Sequence, residues 1–150
     1  MLPYYQLAHH LPKIPDGLAI TDPAVLRQGI NMFSPDDPSG DYWYFTHAIS
    51  DELYNFIQPY FEYKIQANYQ LIGVQLTPHI DVGRQFCFNY LFLTGGDDVR
   101  TRWYNDDASS IVYETAAPLY TWHRIQVDIV HDISKISSQR LGLSVWPAKQ

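Results

Sequence analysis

Residues 139–146 read Gln-Arg-Leu-Gly-Leu-Ser-Val-Trp, and their polarity alternates with a period of two: Leu141, Leu143 and Val145 fall on one face of an extended chain, Arg140, Gly142 and Ser144 on the other. A strand separates these two sets, whereas a helix would mix them. Working back from this stretch, the same period gives candidate strands at 119–130, 109–114, 99–104, 86–93 and 69–76. Turn-forming residues separate them at Thr77-Pro78, 94–98, 105–108 and 116–118. Six strands at this spacing, with one or two more earlier, make a sandwich or jelly roll of about eight strands. Composition agrees, because three glutamates and four lysines against twelve tyrosines and ten prolines favour strands and turns over helices.

The first third is different. Six prolines fall within residues 1–40, which argues against long regular elements there. Thr21-Asp22-Pro23 can cap a short turn of helix over 24–28 that Gly29 ends, 34–40 (Ser-Pro-Asp-Asp-Pro-Ser-Gly) is a loop, and 42–48 reads as a strand. A helix begins after Ser50, with Asp51 and Glu52 at its positive end and Leu53, Phe56, Ile57, Tyr60 and Phe61 forming one apolar stripe; Pro59 should end it near Gln58. That stripe marks a helix packed on the sheet with no chemistry of its own. The expectation is one mainly β domain over 1–150, with one or two short helices packed on one sheet.

Composition also excludes function classes. A chain of 150 residues buries about 70% of its unfolded surface and needs no disulfide or structural zinc to fold. Its single cysteine, Cys87, the lack of an Asn-x-Ser/Thr site, and a first stretch without the basic and apolar regions of a signal peptide favour a reducing cytoplasm. No apolar run spans a bilayer. A net charge of −6, with no basic cluster beyond Arg100 and Arg102, removes the footprint of a general nucleic-acid binder.

The chemistry-bearing residues lie in the β half. In Pro78-His79-Ile80-Asp81 the imidazole and carboxylate, two apart on an extended chain, can face one centre; a strand-end histidine beside a turn-forming aspartate is the plainer reading. Along 119–131 the residues Ile125, Val127 and Ile129 share a face, so in one regular strand His131 points inward, toward either a metal or a backbone carbonyl. Arg140 and Ser144, with Gly142 between them permitting close approach, offer a guanidinium fork and a hydroxyl to a carboxylate, unless that face is solvated.

Taken together, His79-x-Asp81, His131 fifty-two positions later, and Arg140-Leu-Gly-Leu-Ser144 nine beyond that resemble the iron(II)- and 2-oxoglutarate-dependent oxygenases. Arg84, the run 89–93 (Asn-Tyr-Leu-Phe-Leu) and Thr101-x-Trp103-Tyr104 look like the small prolyl- or aspartyl-hydroxylase-like branch, and the likeness covers about 53–146. The resemblance implies a double-stranded β-helix, the cupin-like jelly roll. It implies that His79, Asp81 and His131 hold Fe(II), the two-histidine, one-carboxylate face that leaves positions open for ligands. It implies 2-oxoglutarate on two of those positions, with its far carboxylate on Arg140 helped by Ser144, and O2 on the last. Asn89 is a candidate for a further cosubstrate contact or for a contact supporting the metal ligands, and the implied reaction is hydroxylation of a substrate with conversion of 2-oxoglutarate to succinate.

His123 is a rival for the distal ligand. Eight residues of flat strand separate it from His131 by about 26 Å, so only one of the two reaches the metal, and the Arg140 spacing favours His131. Arg84, Arg100 and Trp103, with Arg102 and Tyr104, are candidate contacts to a small-molecule or peptidyl substrate; an ordinary mixed-charge surface is the alternative. Two other functions fit the same residues: a non-catalytic jelly-roll binding module, and a cupin-like metalloprotein that does not use 2-oxoglutarate.

Overall fold

The computed structural model describes residues 3–28, 31–33, 44–73 and 75–149. Their strands are β1 (Tyr5–Leu7), β2 (Asn31–Phe33), β3 (Tyr44–Ala48), β4 (Ile65–Ile72), β5 (Leu76–His79), β6 (Phe86–Thr94), β7 (Arg100–Tyr104), β8 (Ile111–Thr115), β9 (His123–Gln126), β10 (His131–Ser134) and β11 (Arg140–Pro147). They form two facing sheets, a larger one in the order β1-β9-β6-β11-β4-β3-β2 and a smaller one in the order β5-β10-β7-β8, with every strand pair antiparallel. The chain is therefore a mainly β jelly roll, as the alternating pattern requires.

Both short helices form where their caps place them. Helix α1 (Pro23–Arg27) starts at Asp22, whose carboxylate accepts from the Ala24 N–H at 2.9 Å; Gly29 lies outside the described residues. Helix α2 (Asp51–Ile57) starts at Ser50, whose Oγ accepts from the Leu53 N–H at 3.1 Å, and it tightens into a 3-10 turn, Gln58–Tyr60, at Pro59. The loop expected over 34–40 and the first two residues of the strand expected over 42–48 lie outside the described residues.

The main core covers the outer face of the large sheet. Leu141, Leu143 and Val145 of β11, with Leu71 of β4 and Tyr90 of β6, pack against Leu53 and Ile57 of α2 and Leu26 of α1. Between the sheets the apolar cluster is small, comprising Cys87, Trp103, Ile125 and Val127. One side of the sandwich is shut by aromatic rings: Tyr4, just before β1, lies 5.9 Å from Tyr113 of β8 and 5.8 Å from Trp103 of β7. The remaining interior is a cavity of about 460 Å³ whose walls come from both sheets.

Two expected strands are divided. The stretch 69–76 ends at Ile72, and β5 starts afresh at Leu76 in the other sheet. The stretch 119–130 contributes only His123–Gln126 to the large sheet. Its start is interrupted by Tyr120 at φ 54°, and from Val127 the chain crosses over, bonding first to the Gln85 carbonyl and then, through the Val130 carbonyl, to Tyr104 of the small sheet. β10 then begins at His131. An alternating pattern continues unbroken through such a crossing because inward positions remain inward, so the change of sheet leaves no mark in the sequence.

Candidate metal centre

His79 ends β5 and His131 begins β10, and the two are direct cross-strand partners with ring centroids 4.5 Å apart. The chain leaves β5 in an extended step that is anchored by the Asp81 N–H donating to the Val127 carbonyl at 2.9 Å. This brings the Asp81 carboxylate back to the pair: Oδ1 lies 3.3 Å from His79 Nε2 and 3.6 Å from His131 Nε2. The three groups offer ligand atoms that all lie within 4.8 Å of one another.

The ring orientations follow from the backbone. His79 Nδ1 is 2.6 Å from the Thr77 carbonyl and His131 Nδ1 is 2.7 Å from the Ile129 carbonyl. A carbonyl only accepts, so in both rings Nδ1 carries a proton and Nε2 is the atom turned toward Asp81, free to serve as a metal ligand once deprotonated. Burial lowers the His131 pKa and keeps its ring neutral. For His79 burial also acts downward, but the bonds to Asp81 and to the Thr77 carbonyl outweigh it and the pKa rises. Burial would raise Asp81, yet the two histidines and Arg84 hold its carboxyl below the usual range, so it is ionised. The donor set therefore fits a divalent cation. Two imidazoles and one carboxylate converge with N···O spacings close to the ~3 Å edge of an octahedral site, and the cavity lies on their open side; a cation bound there would displace any proton from His79 Nε2.

The inner face of the large sheet supplies the rest of the wall. Asn68 of β4, Ser144 of β11 and Asn89 of β6 lie side by side in register, and all three line the cavity. Arg140, also on the wall, is buried and donates from Nη1 to the Thr94 carbonyl at 3.0 Å; among the described residues no carboxylate pairs with it, and burial pulls its pKa down to about 10. Ser144 stands four residues away, about 13 Å along the strand, so the two residues sit at opposite ends of a ligand-length stretch rather than on one carboxylate. Gly142 between them is required by close packing: a Cβ there would lie 2.7 Å from the Tyr90 carbonyl oxygen.

The other candidate residues are dispersed. Arg84 lines the cavity beside Asp81. Arg100 stands off the cavity, donating to the Asp97 and Val99 carbonyls, and Trp103 is fully buried, its indole N–H bonded to the Gln126 carbonyl. Arg102 and Tyr104 both bind Asp132, with Arg102 in a bidentate pair of 2.8 and 2.6 Å. His123 lies in the other sheet from His79, packed on Tyr5 with its pKa lowered to about 4 by burial, and belongs to no metal-competent cluster among the described residues. Cys87 lines the cavity as a neutral thiol, its pKa pushed up to about 12 by burial. Asn68 and Gln70 were missed at the sequence level; their signal is the inward parity of β4, legible only once its register with Ser144 and Gly142 is known.

No protein-family model matches the sequence, and no curated protein matches it. Solved structures do. A crystal structure of a Pseudomonas putida prolyl-4-hydroxylase matches at 14% identity and TM-score 0.60, over 98% of this chain and 93% of that one. An Fe(II)-HppE structure with the alternative substrate (S)-1-HPP matches at 12% identity and TM-score 0.48, over 89% of this chain and 62% of that one. With the two facing sheets and their strand order, the first of these comparisons establishes that the chain carries the jelly-roll fold of a prolyl-4-hydroxylase.

Proposed function

We propose that the chain is an iron(II)- and 2-oxoglutarate-dependent oxygenase that hydroxylates a C–H bond of a small-molecule or peptidyl substrate. The observation that carries this reading is Arg140, a guanidinium buried in the wall of the same cavity as His79, Asp81 and His131, with a carbonyl but no carboxylate to balance it among the described residues. A buried unpaired cation is costly, and an anionic cosubstrate would neutralise it.

In this reading His79 Nε2, Asp81 Oδ1 and His131 Nε2 hold Fe(II). The iron, with 2-oxoglutarate and O2, supplies the oxidising power for C–H hydroxylation, with release of CO2 and succinate. The chain's residues do the positioning. The Thr77 and Ile129 carbonyls fix both imidazoles, and the Asp81 charge balances the metal. Arg140 pins the far carboxylate of the cosubstrate, while Ser144 and Asn89 offer polar contacts toward its other end. Leu91, Ile125 and Val127 keep that side of the cavity dry. The lone buried thiol agrees with a cytoplasmic setting.

Anaerobic addition of Fe(II) and 2-oxoglutarate should give a weak visible charge-transfer band that His79→Ala abolishes and Arg140→Ala removes separately. Iron binding without a band would indicate a metalloprotein that does not use 2-oxoglutarate, and no iron binding would indicate a jelly-roll binding module. Succinate release in the presence of candidate substrates then identifies the acceptor.

A further inference from the structure

We propose that Arg84 is the receptor for an oxyanion on the substrate, so that the compound oxidised here carries a carboxylate, phosphate or phosphonate group close to its reactive carbon. This inference rests on the metal-centred reading above and adds the chemical class of the substrate.

The guanidinium is held in place, yet its donors are uncommitted. Arg84 Cζ lies 3.7 Å above the centroid of the Trp146 ring, and Trp146 is itself fixed by its indole N–H, which donates to Gln66 Oε1 at 3.0 Å. Stacking on an aromatic face orients the planar fork and leaves its edge free for an oxyanion. Arg84 makes no hydrogen bond among the described residues. Its nearest carboxylate oxygen, Asp81 Oδ2, stands 3.8 Å from Nη1, beyond hydrogen-bonding range, and Asp81 presents its other oxygen to the two histidines. Of the other arginines, Arg102 is paired with Asp132, Arg100 donates to two carbonyls, and Arg140 is the receptor proposed for the cosubstrate. Arg124 also has Nη1 and Nη2 without partners, but it lies off the cavity.

Position supports the same assignment. Arg84 is three residues beyond Asp81 on the cavity wall, at the mouth marked by Ile80 and Val82, which are 51% and 90% exposed. A second cation reaches the same turn, since a Cβ placed at the neighbouring Gly83 would lie 3.3 Å from Lys149 Nζ. An oxyanion on the Arg84 fork is thus one residue's reach from the metal ligands, which leaves room for only a few bonds between the anionic group and the carbon to be oxidised.

Trp146 provides the readout. In the 150-residue chain with one equivalent of Zn(II) and 15N-labelled tryptophan, the Trp146 indole cross-peak, assigned with Trp146→Phe, is followed while propanoate, methylphosphonate and neutral propanamide are titrated separately. The expected result is that one or both anions shift the peak with at least tenfold tighter apparent binding than the amide, and that Arg84→Met removes the difference; which anion binds tighter distinguishes a carboxylate substrate from a phosphonate or phosphate one. Equal responses to acid and amide, no response to any probe, or an anion response that survives in Arg84→Met would each overturn the assignment. The charge-transfer band reports the iron and 2-oxoglutarate reading on its own, so either idea can fail without the other.

Discussion

The two faces of β11 were built from the same eight residues for opposite purposes. Outward, Leu141, Leu143 and Val145 vanish into a core closed by α1 and α2; inward, Arg140, Gly142 and Ser144 face a cavity in which, among the described residues, the Arg140 charge meets no carboxylate. The outer face stabilises the fold and the inner one costs stability. The difference teaches where function is to be sought, because a buried cation with no carboxylate partner among the described residues is retained against the interest of stability.

The contrast can be broken most strongly from the core side. Leu141→Ala should destabilise by about 2–5 kcal/mol in chemical denaturation, since it deletes a fully buried side chain between sheet and helices. Next in size is an acid-sensitive contribution from a buried histidine of the large sheet. His123 has a folded pKa lowered to about 4 against 6.5 for the free side chain, so the unfolded chain binds the extra proton first. Its contribution is complete above pH 6.5 and is lost as pH falls toward 4, by on the order of 3 kcal/mol, and denaturation midpoints for His123→Phe should flatten over that window. A sharper test reverses the sign: Arg140→Met should stabilise the protein by about 1–4 kcal/mol while 2-oxoglutarate binding, read from the charge-transfer band, disappears. A destabilised Arg140→Met would mean that the arginine serves the fold. The smallest change is Ser144→Ala, which should move thermal stability by less than about 1 kcal/mol. Any loss there should appear as weaker cosubstrate binding, measured by titrating the same band.

Reading the outward face from sequence succeeds because its signals are local. The alternation in β11, the Ser50 cap and the apolar stripe of α2 need no knowledge of distant residues, and His79 and Asp81 announce themselves by being two apart. Reading the inward face is harder. His131 faces inward by parity, but its pairing with His79 depends on a change of sheet after Gln126 that parity conceals. Trp103 and Arg100 show the same limit from the other side: alternation tells that they point oppositely, not that Trp103 fills the shut side of the sandwich while Arg100 bonds back to its own loop. β1, three residues long, carries too little pattern to be seen before its partner β9 is known.

The pairing of His79 with His131 has a mechanical side. Among the described residues β5 is an edge strand, joined to the small sheet through β10 alone, with an irregular register and Pro78 unable to donate a bond. A cation held across the two histidines would rivet that edge to its neighbour, so occupancy of the centre and order at the cavity mouth become one variable. Amide exchange at Thr77 and His79 should slow when metal binds, which turns this edge of the small sheet into a gauge of whether the protein is armed.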